Sequence, residues 1–133
     1  MQSRFFRAWP ESVPDARRFV SDVLGQVPPE LCQTATLLVS ELATNVIRHA
    51  GGTLFEVTID FVPEEARVWI GVTDSGDGEP VVKLPPATSE NGRGLQLVGS
   101  LADRWGMRRR RGAAEKTVWF ELSSPSAAPR QAN

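Results

Sequence analysis

The stretch LCQTATLLVSELATNVIRHA, residues 31–50, repeats apolar side chains at helical spacing, and its reading decides the fold. Leu31, Ala35, Leu38, Leu42 and Val46 recur every three or four residues, so an α-helix gathers them into one stripe that needs a second layer to bury it. Beside that stripe stand Glu41, Asn45 and His49, four residues apart. Four residues turn a helix through about 400°, so the three side chains form one ridge that drifts by only about 40° per step. Solvated helix faces mix charges. A carboxylate, a carboxamide and an imidazole in line at the edge of a buried face instead have the character of a site.

The flanking segments supply the second layer. Phe5, Phe6, Ala8 and Trp9 suggest a short first strand or arm, stopped by Pro10. Pro14 suits a first helical position, and Ala16, Phe19, Val20, Val23 and Leu24 keep helical spacing up to Gly25. Pro28 and Pro29 start the long helix, and Gly51 and Gly52 turn the chain out of it. Residues 54–61 and 68–72 alternate with a period of two across a short connection, which predicts an antiparallel strand pair. From Ser75 to Asn91 periodicity vanishes, and a loop of about 17 residues is longer than compact domains keep without a functional reason, which suggests a lid. Gly92 to Asp103 resumes helical spacing, and Trp105–Arg110 and Thr117–Leu122 form a last strand pair. The order predicts an α+β fold: a two-layer sandwich in which a mixed, mostly antiparallel sheet carries helices on one face. A single domain is expected over residues 1–123, with a disordered tail over 124–133, whose Ser, Pro and Ala cannot offset their ordering entropy.

At 133 residues with 41% hydrophobic content, the chain suffices for one core. A net charge of −1 and an isoelectric point near 5.8 give no global attraction to nucleic acid or anionic lipid. One cysteine, Cys32, makes no intrachain disulfide and fits a small core residue in a reducing compartment. With neither a signal-peptide pattern nor an apolar run of about 20 residues, a cytoplasmic protein that contacts neither membrane nor nucleic acid is expected.

Two further segments carry chemistry. In Asp74-Ser75-Gly76-Asp77-Gly78 a carboxylate ends a strand and two glycines let the backbone bend behind it. Such a group accepts a hydrogen bond from an exocyclic amine such as that of adenine; the same pattern also serves as plain hairpin punctuation. Asn91-Gly92-Arg93-Gly94-Leu95 lies immediately before a helix, where unpaired N–H groups and the positive helix end suit a phosphate, or where the glycines merely loosen the entry. A long loop joining both glycine pairs opposite Glu41 and Asn45 favours one nucleotide site over three separate accidents.

These three segments resemble the N, G1 and G2 boxes of the Bergerat-fold (GHKL) ATPase superfamily. Within it, SELATNVIRHA at 40–50, GRGLQLV at 92–98, ADRWG at 102–106 and KTVWFEL at 116–122 resemble the bacterial anti-sigma-factor serine/threonine kinases, and the similarity spans about residues 4–122. The resemblance implies ATP and Mg²⁺ as cofactors, with Asn45 as the metal ligand and Glu41 as the catalytic base. It implies that Asp74 meets the adenine amine, that Gly76 and Gly78 shape the pocket, and that Thr117 supports the base. It further implies that Gly92, Arg93, Gly94 and Leu95 close on the phosphates. His49 either touches the nucleotide or caps its helix as a cation. Relatives commonly carry a glycine before the Lys-Thr pair, where this chain has Ala114-Glu115.

The implied function is an ATP-binding protein kinase that binds a sigma factor and phosphorylates an anti-sigma antagonist, with a homodimer implied as well. The alternative is a nucleotide-gated binding module without productive phosphotransfer. Arg108–Arg111 form the one dense basic run, either a solvated hairpin or a docking site for an acidic partner. The four tryptophans are expected to pack in sheet and core.

Overall fold

Burial of the stripe in residues 31–50 against a sheet organises the molecule. The computed structural model describes residues 1–49, 53–74, 90–109 and 115–124, with the backbone alone for 90–95. In chain order the elements are β1 (Gln2–Arg7), α1 (Ser12–Val23), α2 (Pro29–His49), β2 (Leu54–Val62), β3 (Arg67–Asp74), α3 (Glu90–Leu101), β4 (Arg104–Arg109) and β5 (Lys116–Ser123), with a single 3-10 turn, Pro63–Glu65, between β2 and β3. Helix α2 buries Leu31, Ala35, Leu38, Val39, Leu42 and Ala43. Pro29 opens it where a missing N–H costs nothing, and Glu30 and the Arg48–His49 pair complement the dipole at its two ends.

The sheet has the order β1-β2-β3-β5-β4, and all four pairings are antiparallel. Strand alternation turns Phe55, Val57 and Ile59 of β2, Val68, Ile70 and Val72 of β3, and Phe120 and Leu122 of β5 toward the helices. Each such side chain contributes about 1.5–3 kcal/mol on burial. Helix α1 packs on α2, α2 on α3, β3 and β5, so the helices cover one face as the sequence predicts. No helix among the described residues is long and apolar enough to cross a membrane.

The other face carries Trp69 and Trp119, whose rings stack at 6.1 Å with 22° between their planes. A Cβ on Gly71 would lie 2.7 Å from the Trp69 ring and one on Gly106 2.9 Å from that of Trp119, so both glycines make room for indoles lying across the sheet. Two of the four tryptophans thus pack on the sheet, but Trp9 and Trp105 are exposed, at 55% and 42%. Cys32 is half-buried against the core with its Sγ toward Ser21.

Helix boundaries differ from the sequence expectation in two places. α1 begins at Ser12, two residues before Pro14, because a proline in the first turn occupies a position whose N–H has no helical partner anyway. α3 begins at Glu90 and takes Asn91, Gly92, Arg93 and Gly94 into its first turns instead of leaving them before the helix. Two glycines disfavour helix by about 1 kcal/mol each, yet Val98, fully buried, and Leu97 dock the helix in the core, and packing overrides propensity. The expected loop of residues 75–91 and tail of 124–133 lie, apart from residues 90, 91 and 124, outside the described residues.

The rotational setting of α2 is open to a direct test. Leu38 is fully buried and its neighbour Leu37 is 42% exposed. Urea unfolding of Leu38→Ala should show a loss of about 2–5 kcal/mol, whereas Leu37→Ala should stay within about 0.5 kcal/mol of the parent. Equal losses would mean that the helix presents a different face.

Candidate functional site

The phase of α2 decides where its polar ridge stands. With Leu38, Leu42 and Ala43 turned inward, Glu41 and Asn45 fall at the edge of the buried stripe and are half-buried, and His49, one turn later, is exposed. Among the described residues the side chains of Glu41 and Asn45 have no hydrogen-bond or ion-pair partner, whereas His49 and Arg48 are engaged. Two unpaired polar groups one turn apart, partly withdrawn from water, retain their full capacity for a ligand.

Asp74 is the last residue of β3, held in register between Phe55 of β2 and Lys116 of β5. It follows Ile70 and Val72 in the alternation, so its carboxylate lies on the helix-facing side, where it is only 6% exposed. A carboxylate this buried needs partners, and it is engaged within the protein.

Topology brings the ridge and the carboxylate to one end of the sandwich. β2 leaves α2 within five residues of His49 and starts at Leu54, whose neighbour Phe55 pairs with Asp74. Helix α3 reaches β4 through Ala102 and Asp103 at Arg104, which pairs with Glu121, which in turn pairs with Trp69. Five residues of strand separate Trp69 from Asp74, about 17 Å, so α3 leads away from that far edge toward its N-terminus. The backbone N–H groups of the first four residues of α3, Gly92 and Arg93 among them, lack helical partners, and the helix dipole adds positive potential there. Gly94 and Leu95 follow in the same helix. Gly76 and Gly78 lie outside the described residues.

Thr117 is set apart from this group. It pairs with Thr73, and the two hydroxyls meet at 2.8 Å on the face opposite the helices. On the Asp74 side β5 instead presents Lys116, half-buried, with Val118 behind it against the core. The alternation of Val118, Phe120 and Leu122 already carried that signal: their parity is shared by Lys116 and not by Thr117. The recess on the open face is likewise distinct. A cleft of about 360 Å³ on the open face, lined by Asp60, Trp69, Arg108 and Glu121 among others, contains none of the expected site residues.

No group of three or more His, Cys, Asp or Glu side chains suited to a metal occurs among the described residues.

Residues 6–122 match the family described as the histidine kinase-like ATPase domain. An uncharacterized protein of Streptomyces coelicolor is 39% identical over 74 residues, 53% of this chain and 70% of that protein. Among solved structures, the histidine kinase domain from the Erythrobacter litoralis EL346 blue-light activated histidine kinase superposes with a TM-score of 0.55 at 17% identity over 96% of this chain. The chain spans 66% of that domain's length, and a likeness at this identity concerns the fold.

The position of Thr117 predicts a separation of stability from ligand binding. Thr73→Val and Thr117→Val should each cost about 0.5–1.5 kcal/mol in thermal unfolding, and the double variant should cost less than the two together because neither hydroxyl is then left alone. Adenine-nucleotide affinity of Thr117→Val should stay within about twofold of the parent, a ratio worth no more than about 0.4 kcal/mol. A larger loss would show that the threonine reaches the ligand.

Proposed function

The chain belongs to the histidine kinase-like ATPase domain family, a domain of the GHKL ATP-binding type, and from that premise we propose that it is an ATP-dependent serine/threonine protein kinase of the anti-sigma-factor type. It would hold a sigma factor and phosphorylate an anti-sigma antagonist in the cytoplasm. The supporting observation is the pair Glu41 and Asn45, half-buried, without partners among the described residues, and one turn apart at the end of the sandwich that also holds the buried Asp74.

Each group suits one task. The Asp74 carboxylate would accept a hydrogen bond from the adenine amine, with Gly76 and Gly78 shaping the floor beneath the base. The unpaired N–H groups at the start of α3, with Gly92, Arg93 and Gly94, would receive phosphate oxygens, assisted by the helix dipole. The Asn45 carboxamide oxygen would hold Mg²⁺, which when bound neutralises phosphate charge. Glu41 would take the proton of an incoming serine or threonine hydroxyl as its oxygen attacks the γ-phosphorus, and ADP would leave with the electrons of the broken bond. The resemblance of segments 40–50 and 92–98 to anti-sigma kinases favours that substrate class, and His49 would support the helix end rather than the reaction.

Purified protein, labelled ATP, magnesium and the antagonist should give label on serine or threonine. Glu41→Gln should keep nucleotide affinity within about threefold while transfer falls by roughly 10²–10⁴, the usual worth of a positioned base. Asn45→Ala should weaken magnesium-dependent ATP binding at least about tenfold, or about 1.4 kcal/mol, in calorimetric titration. Undiminished transfer by Glu41→Gln would remove that residue from the role of base. ATP binding by the parent with no transfer at all would favour a nucleotide-gated binding module, and indifference to millimolar ATP would overturn both.

A further inference from the structure

The edge of the sheet formed by β4 carries a two-sided pattern that the nucleotide site does not use. β4 ends the strand order, so one row of its N–H and C=O groups faces outward without a strand partner among the described residues. Its sequence, RWGMRR, holds three arginines and no acid. The register with β5 sorts its side chains: Arg104 and Arg108 align with Glu121 and Thr117 on the open face, whereas Trp105 and Met107 align with Phe120 and Val118 on the helix side. Trp105 and Met107 are nevertheless each 42% exposed, and Leu101 of the adjoining helix α3 is 41% exposed. Charged edges commonly serve to repel other strands. A purely defensive edge, however, gains nothing from an exposed indole and thioether on the same strand. Arg109, the third arginine, aligns with Lys116 on the helix side at the strand's end, and at the opposite edge the β1 arginines Arg4 and Arg7 lie over the rings of Phe6, Phe19 and Trp9.

We propose that the free edge of β4 is a docking strand for an extended acidic segment of another protein, in which Asp or Glu alternates with apolar residues. Such a segment adds a sixth strand through backbone hydrogen bonds, sets its carboxylates against Arg104 and Arg108 on one face, and lays its apolar side chains over Trp105 and Met107 on the other. Charge complementarity selects the acid, and the period of two selects an extended partner over a helical one. Arg108, held over Trp69 at 5.8 Å, and Arg104, beside Glu121 at 3.6 Å, are already oriented along the face where those carboxylates arrive. The inference stands apart from the nucleotide site, because no residue in it is assigned to ATP.

A fluorescein-labelled peptide of about 12 residues alternating Glu and Val tests it, against a peptide of the same composition with Glu and Val in separate blocks. An extended strand of that length, roughly 40 Å, spans the six residues of β4 in any register. The alternating peptide should bind at least about tenfold tighter than the block peptide by fluorescence anisotropy, which is about 1.4 kcal/mol. Hydrogen exchange should slow at residues 104–109 and not at 2–7. The double variant Arg104→Glu and Arg108→Glu should lose at least about tenfold in affinity with its circular dichroism and ATP-analogue binding unchanged. Should that variant fail to fold, the exchange map of the parent decides alone. Equal binding of both peptides, protection at β1, or an absence of protection at β4 overturns the proposal. Slow exchange at β4 that grows with protein concentration without peptide assigns the edge to a second copy of the chain and overturns it as well.

Discussion

Everything in this molecule depends on the docking of α2 onto the central strands. The helix sets Leu38, Leu42 and Ala43 against β3 and β5, and close packing leaves it no rotational slack. A shift of one residue in phase turns a helix by about 100°, enough to carry Asn45 into the core or out to water. The half-buried setting of Glu41 and Asn45 is therefore a consequence of where the leucines must go. The core aims the ridge.

The sheet does two jobs with its two faces. Its helix-facing side is filled by Phe55, Ile70, Val72 and Phe120, and that same alternation delivers Asp74 to the covered side at the strand's last position. Its open side is closed by the Trp69–Trp119 stack, the Thr73–Thr117 hydroxyl pair, and the ion pairs of Glu121 with Arg67 and Arg104. A sheet face without helices must still satisfy its polar groups and limit its apolar surface, and the flat indoles allowed by Gly71 and Gly106 serve that end. β4 departs from this economy, with its apolar side chains left partly in water at an edge. It runs from Arg104 to Arg109, which pairs with Lys116 beside Asp74, so its last residue lies at the same end of the sheet as that buried carboxylate.

Much was legible in the chain because two periodicities do not overlap. A repeat of three and four residues over 31–50 and a repeat of two over 54–61, 68–72 and 117–122 leave little choice but helices layered on an antiparallel sheet. The ridge of Glu41, Asn45 and His49 followed from spacing within one helix, and the strand-end placement of Asp74 from the alternation that leads to it. Thr117 was harder, since a motif names a residue type near a site but does not say which way its strand is turned. The exposure of Trp9 and Trp105 was equally hidden, because an aromatic in an extended segment carries no mark of being at an edge.

By itself, then, the sequence determined which elements form and which side chains share a face, because those are local consequences of backbone geometry. Tertiary structure alone decided the order β1-β2-β3-β5-β4, the side of the sheet that the helices cover, the inclusion of Gly92 and Gly94 in α3, and the separation of Thr117 from Asp74. These depend on contacts between segments far apart in the chain, where the burial of one side chain, such as Val98 of α3, outweighs the local preference of others in the same helix.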